Sequence, residues 1–312
     1  MRMSIGAFVY SLRTNFYELW TLKLFKNFIS VGIKAKFRFY PMKVVLKKNK
    51  SVITVYNQNH LQLLKYDQSV LWDNVTHSFR INTVDRSLIF FGAENNGDLS
   101  GIYYLREYDS LTVEGKTVID IGANIGDSSI YFITKKARKV YAIEPNNISF
   151  QYLVKNIRAN AMDNSIFPFN EALGCRDGFA KIVNLTNTNG TLFDGIHAVS
   201  EPDKDSIHVK DINKMISEIP DSGLILKMDC EGCEYNLIEC IENENYKKIE
   251  QIFIEYHFGA GELPKILEKM GFSVLCTKGV ISYVNGVIGT KRIMGRIIAK
   301  KGILSLSGSE TA

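Results

Sequence analysis

Five short apolar runs, each ending in charged or polar residues, punctuate the chain between residues 117 and 257. They are Thr-Val-Ile-Asp-Ile at 117–121, Val-Tyr-Ala-Ile-Glu at 140–144, Ile166 to Phe169, Leu-Ile-Leu-Lys-Met at 224–228 and Gln-Ile-Phe-Ile-Glu-Tyr-His at 251–257. Runs of this length, rich in β-branched and aromatic residues, predict buried strands. A helix opens near Asp127-Ser128-Ser129, and another runs through Phe150, Leu153, Val154 and Ile157 after the cap Asn146-Asn147. Strands alternating with helices predict an α/β fold with a mostly parallel sheet. Ser273–Cys276 and Met294–Ala299 read as a final strand pair, and Gly302–Ala312 as a frayed tail. Upstream, Phe8, Leu12, Phe16, Leu19 and Trp20 recur at helical spacing within Ile5 to Ile33. Lys36–Leu46, Ser51–Tyr56, His77–Asn82 and Ser87–Gly92 alternate as strands of a small accessory sheet. Asn95-Asn96-Gly97-Asp98 is a turn into Leu99–Tyr108, a helix or strand. The polar segment 185–222, with Asn187, Asn189, Gly190 and Pro202 to Asp205, predicts a flap facing the substrate.

The first run carries the chemistry. Asp120 is followed by Gly122, Asn124 and Gly126, and then by Asp127 and Ser128 at a helix start. Glycines let the backbone pass close to a ligand, and the helix start offers unpaired N–H groups to it. Asn124 stands where the second glycine of a dinucleotide turn belongs, and no Gly-Lys-Ser/Thr follows to make a P-loop. An acid ahead of the glycines suits a cationic ligand, which points to S-adenosylmethionine. Glu144, 24 residues beyond Asp120, is placed for ribose hydroxyls, with Asn146 beside it. Asn170, Glu171 and Ala172 end the third strand where an adenine ring would lie. Asp229, Glu231, Glu234, Glu255 and His257 end the fourth and fifth strands at the same sheet edge. Lys227 lies inside an apolar run and requires an acidic partner, Asp229 or a neighbouring acid.

Together these residues resemble the FkbM-type family of S-adenosylmethionine-dependent methyltransferases. The resemblance rests on Arg-Glu-Tyr-Asp at 106–109, Val-Ile-Asp-Ile-Gly-Ala-Asn-Ile-Gly-Asp-Ser-Ser at 118–129, Glu-Pro-Asn at 144–146 and Asn-Glu-Ala at 170–172. Lys-Met-Asp-Cys-Glu-Gly-Cys-Glu at 227–234 and Ile-Glu-Tyr-His at 254–257 complete it, over roughly residues 98–277. It implies a class I, Rossmann-like methyltransferase fold with a seven-stranded, mostly parallel sheet whose last strand is antiparallel. It also implies O-methylation of a hydroxyl on a sugar, glycan or other small acceptor. The domain organisation expected is an accessory region at 1–97, the methyltransferase domain at 98–302 and a tail at 303–312. The cofactor set is Asp120, Gly122, Asn124, Gly126, Asp127, Ser128, Glu144, Asn146, Asn170, Glu171 and Ala172. The acceptor hydroxyl must lose its proton as the new bond forms, and His257, Asp229 and Glu231 are the candidate catalytic residues. No metal is assigned.

Composition adds an asymmetry. The net charge of +5 hides eleven Lys/Arg against one acid in residues 1–50, and 21 basic against 31 acidic residues in 51–277. An acidic core argues against nucleic acid as acceptor. Residues 1–33 contain no uninterrupted transmembrane stretch and no signal-peptide pattern, so a cytoplasmic protein is expected. Their helix either packs on the core or a second copy, the adopted reading, or touches the inner face of an anionic membrane as a peripheral contact. A homo-oligomer is compatible with the former. Five cysteines, an odd number, fit a reducing compartment, with Cys230 and Cys233 read as small buried hydrophobes. Two further function classes compete with methyl transfer. One is a nicotinamide-dependent oxidoreductase, opposed by the missing glycine. The other is a non-catalytic membrane- or nucleic-acid-binding protein with a vestigial site, opposed by the intact acids.

Overall fold

A computed structural model describes residues 22–94, 97–182, 196–283 and 291–302. The start of the expected N-terminal helix (Phe8 to Trp20), Asn95-Asn96, Asn187 to Gly190 and the 303–312 tail lie outside the described residues. The chain divides into two compact units, one ending at Leu105 and taking back Tyr283–Lys291, the other running over Arg106–Ser282 and resuming at Arg292.

The N-terminal unit contains a helix α1 (Phe28–Lys36), an antiparallel hairpin of Met42–Val45 with Val52–Val55, and a helix α2 (Gln58–Tyr66). Asn57 caps α2 by accepting from the His60 N–H at 2.8 Å. A three-stranded antiparallel meander, Leu71–Asp73, Ser78–Asn82 and Ser87–Phe91, follows, then a short helix at Leu99–Tyr103. Phe25, Val44, Leu61, Leu64, Phe79 and Phe90 are buried. The expected strand over Lys36–Leu46 is shorter, because α1 runs to Lys36 and pairing begins only at Met42.

The second unit is built on a sheet whose strands are β1 (Thr117–Ile121), β2 (Lys139–Ile143), β3 (Ile166–Phe169), β4 (Leu224–Met228), β5 (Ile249–Tyr256), β6 (Phe272–Cys276) and β7 (Lys291–Lys301). Their spatial order is β6-β7-β5-β4-β1-β2-β3, with Val280–Tyr283 also pairing β7. Strands β1 to β5 pair in parallel, and β7 runs antiparallel between β5 and β6. This is the class I α/β arrangement expected, in which the order reverses beside β1 and opens a crevice at the strands' carboxyl ends. Every residue of β1 and β4 is buried, as befits central parallel strands covered on both faces. Helices α3 (Asp127–Thr134) and α4 (Asn147–Ala159) follow β1 and β2, and α5 (Glu234–Cys240) follows β4.

Of the segment 185–222 expected as a flap, residues 196–222 are described and contain two strands and a helix. Ala172–Gly174, Gly178–Ile182, Ile196–Val199 and Ile207–Asp211 form a small sheet of their own, and Ile212–Glu218 is a helix. The cysteines are paired, Cys175 with Cys240 and Cys230 with Cys233, which leaves Cys276 free and exposed. The expectation of unpaired, hydrophobe-like thiols is thereby corrected. Chain folding brings Cys175, beyond β3, against the end of α5, a proximity that spacing 65 residues apart does not reveal.

Candidate active site

The turn after β1 is held by its neighbours. Gly122 has φ +76°, and a Cβ there would meet the Asp229 carbonyl oxygen at 1.9 Å. Close approach of backbone is thus the reason for this glycine, and the backbone approaching is that of the strand next door. Gly126, at φ +86°, caps α3, and a Cβ would strike Leu153 Cδ1 of α4 at 2.6 Å. Asn124 takes a left-handed φ of 50°, which its short amide side chain tolerates. Asn156 of α4 donates to the Ile125 carbonyl at 2.8 Å and fixes the far side of the turn.

Asp120 is enclosed by protein groups. Register sets Lys227 of β4 directly beside Asp120 of β1, and Lys227 Nζ lies 3.0 Å from Asp120 Oδ1. The other Asp120 oxygen accepts from Ser128 Oγ at 2.7 Å and Ser129 Oγ at 2.6 Å. Where a contact with a cationic ligand is expected from the sequence, the carboxylate is fully buried and ties β1, β4 and the start of α3 together. Lys227 also donates to the Gly122 carbonyl at 2.9 Å. Burial alone would lower its ammonium, but Asp120 and Asp229 hold it above the ordinary lysine value.

Glu144, at the end of β2, accepts the Asn124 N–H on Oε2 and the Asn146 N–H on Oε1, each at 2.8 Å. Burial pushes its carboxyl up to about 7, against the opposing pull of the Asn146 and Asn124 N–H groups. Asn146 caps α4 by accepting from Ile148 and Ser149. Asn170 donates to the Glu144 carbonyl at 2.9 Å, so the ends of β2 and β3 are linked. Glu171 meets His208 at 3.1 Å through Oε2, while its Oε1 is buried and has no hydrogen-bond partner among the described residues. Asp127 and Ser128 are buried in the first turn of α3, where the Ser128 N–H meets Asp127 Oδ1 at 3.1 Å, and Ala172 is buried in the small sheet.

Across β4 and β5 lies a cluster of acids around one imidazole. His257 Nε2 is 3.6 Å from Asp229 Oδ1 and 3.5 Å from Glu231 Oε2, and its Nδ1 is 3.1 Å from Glu234 Oε1. The ring is 1% exposed, whereas the Asp229 side chain is 32% exposed. Burial would lower this imidazole, but the Glu234 contact and the Glu231 and Asp229 charges raise it above its ordinary value. Glu234 Oε1 also accepts the Cys230 N–H at 3.2 Å, so the Cys230–Cys233 loop and α5 hold the ring from one side. Glu231, itself raised by burial, is gripped by Arg292 Nη1 at 2.7 Å.

Several members of this cluster escaped sequence reasoning. Arg292 and Arg296 come from the last strand, where no motif marks them. Arg296 reaches Glu107 at 2.8 Å and Glu255 at 3.9 Å. Burial and the neighbouring Asp229 and Glu107 raise the Glu255 carboxyl well above the usual range. Glu107 sits in the Arg-Glu-Tyr-Asp segment, which did carry a signal, though without a role. Ligand atoms of Asp229, Glu255 and His257 lie within 4.8 Å of one another, a spacing open to a divalent cation, whereas no metal was assigned from sequence.

With this geometry in place, comparison with known proteins is informative. Residues 120–274 match the family model for the methyltransferase FkbM domain. Over 192 residues the chain is 23% identical to the methyltransferase sdnD of Sordaria araneosa, covering 50% of this chain and 73% of that protein. It is 25% identical over 197 residues to the 31-O-demethyl-FK506 methyltransferase FkbM of Streptomyces tacrolimicus, covering 52% and 74%. The crystal structure of a methyltransferase FkbM from Methylobacillus flagellatus KT aligns with TM-score 0.43 and 18% identity, over 66% of this chain and 48% of that one. The chain spans only 16% to 30% of the arginine and tRNA methyltransferases that it also matches.

Proposed function

From the match of residues 120–274 to the methyltransferase FkbM family model, we propose that the protein transfers a methyl group from S-adenosylmethionine to a hydroxyl of a sugar, glycan or other small acceptor. Two observations fit an adenine nucleoside at the ends of β1 to β3. Each Glu144 oxygen accepts one backbone N–H and retains a lone pair for ribose hydroxyls. Glu171 Oε1 is buried without a hydrogen-bond partner among the described residues, where an amino or hydroxyl donor would satisfy it. When bound, the donor supplies an electrophilic methyl on a sulfonium that leaves as a neutral thioether. Asp120 serves this site indirectly, by locking the turn through Lys227, Ser128 and Ser129.

The observation that carries the reading is the pairing of half-buried Asp229 with buried His257 directly beyond the β1 turn. Asp229 accepts the acceptor hydroxyl's proton as the oxygen–carbon bond forms, and Glu231 receives a second hydroxyl of the acceptor. His257 is a positioning residue: it is too enclosed to meet an acceptor, and it sets the orientation of Asp229 and Glu231 while Glu234 fixes the ring. Much of the rate then comes from alignment, worth up to ~7–11 kcal/mol in well-oriented systems.

Calorimetric titration tests the donor assignment. The expected result is that S-adenosylmethionine binds the full chain and NAD does not, and that Glu144→Gln weakens donor binding about ten-fold. Binding of NAD in place of the methyl donor sinks the proposal. Asp229→Asn lowers kcat by roughly 10²-fold or more with donor affinity retained, and His257→Ala slows turnover without loosening the donor. Turnover is followed as a donor-dependent mass gain of one CH₂ in acceptors from a cell extract. A second reading, a divalent ion on Asp229, Glu255 and His257 that polarises the acceptor hydroxyl, is favoured by the spacing of those ligand atoms. Full activity after chelation rejects it.

A further inference from the structure

Helix α1 turns its apolar stripe outward. Val31 is buried against the N-terminal unit, while Ile29 and Ile33, one turn apart, are 63% and 55% exposed. Phe37 closes the helix on the same side and is 61% exposed, stacked at 6.0 Å on Phe39, which is 62% exposed. Four large apolar side chains on one nine-residue helix and its exit form a patch, not a scatter of single residues.

Charge surrounds that patch. Residues 22–60 contain nine Lys/Arg and no Asp or Glu. Lys26, Lys34, Lys36 and Arg38 flank the stripe, and Lys47, Lys48 and Lys50 stand on the adjoining hairpin turn, all exposed. Helix and hairpin are one body: Asn27 Oδ1 accepts the Val45 N–H and its Nδ2 donates to the Lys43 carbonyl, both at 2.9 Å. The Lys26 and Lys47 N–H groups add backbone bonds to Val45 at 2.7 Å and Leu24 at 3.1 Å. The backbone positions that carry these cations are therefore fixed relative to the apolar stripe.

We propose that α1 and its hairpin form a docking surface for an anionic lipid bilayer, with Ile29, Ile33, Phe37 and Phe39 entering the interface and the surrounding lysines and arginines meeting lipid phosphates or carboxylates. An amphipathic helix with a basic surround lies in the plane of a membrane by this division of labour. Nucleic acid would use the same cations, but exposed isoleucines at helical spacing give it nothing to contact. The proposal is independent of the methyl-transfer reading, since none of its residues belongs to the candidate active site.

Vesicle co-sedimentation of the full chain tests it, with phosphatidylcholine alone and phosphatidylcholine mixed with phosphatidylserine. Binding to the mixed vesicles is expected to exceed binding to the neutral ones about ten-fold and to weaken with salt. The triple substitution Ile29→Ser, Ile33→Ser, Phe37→Ser lowers that binding about ten-fold, with the far-UV circular dichroism unchanged because all three side chains are exposed. Lys34→Glu with Lys36→Glu does the same through charge alone. Failure of the unsubstituted chain to sediment with mixed vesicles overturns the proposal. So does serine-variant binding equal to that of the parent, which would leave only non-specific charge attraction. Tight, salt-sensitive binding of duplex RNA without vesicle binding would assign the surface to nucleic acid instead.

Discussion

At the scale of single residues, buried charge and backbone contacts do most to define this protein. His60 is enclosed in the N-terminal unit with its ring 5.9 Å from that of Phe79. Burial lowers its imidazole from 6.5 to about 4, with the Val70 backbone opposing. A base depressed in this way leaves stability intact above pH 6.5 and withdraws it as pH falls from 6.5 through 4. At about 1.4 kcal/mol per unit, the loss approaches roughly 3 kcal/mol. Urea titrations at pH 7 and pH 4 should show this decline, and His60→Leu should flatten it; an unchanged slope in the variant contradicts the assignment. Gly122, Asp120 and Lys227 illustrate what a sequence conveys at this scale. Their chemical types were legible, because a glycine between acid and helix and a lysine inside an apolar run both demand explanation. Their partners were not, since the Asp229 carbonyl and the register of β4 against β1 come from strands about a hundred residues apart.

Among elements, strands with strong patterns were read nearly to the residue. Thr117–Ile121, Ile166–Phe169 and Leu224–Met228 coincide with the apolar runs, and in the first and last of these burial on both faces leaves no competing periodicity. Helix α2 had no such signal, because Gln58, Asn59, His60 and Gln62 dilute its apolar face. Strands Ile196–Val199 and Ile207–Asp211, inside the segment 185–222 read as a flap, are short, and their partners at Gly178–Ile182 and Ala172–Gly174 lie outside that segment. Arg292 reached the candidate site unannounced, since a basic residue at the start of an edge-proximal strand resembles any solvated one until folding buries it. The cysteine pairs belong here too, linking the segment after Gly174 to the end of α5 and closing the loop after β4. Alkylation of the denatured, unreduced chain should therefore label one cysteine, Cys276, out of five. Mass spectrometry showing three or five labelled thiols would refute the pairing. Reduction should lower stability by roughly 2–4 kcal/mol for the longer loop.

For the molecule as a whole, charge is partitioned between regions with different tasks. Nine cations crowd residues 22–60, while residues 51–277 carry ten more acids than bases. The candidate acceptor edge shares that excess, with Glu107, Asp229, Glu231, Glu234 and Glu255 set against Arg292, Arg296 and His257. An acceptor bearing phosphate or sulfate meets repulsion there. Steady-state kinetics on matched neutral and phosphorylated polyols should favour the neutral compound by about ten-fold in kcat/KM, most strongly at low salt. The reverse preference would remove electrostatics from acceptor choice. One joint constrains how such preferences can change. The alpha carbon of Gly122 is wedged against the peptide that carries Asp229, so the two halves of the crevice are welded at a single point. Moving the Asp229 backbone would dislodge the turn after β1 with it. On the proposed function, a change of acceptor is expected to leave this weld in place and to remodel what surrounds it.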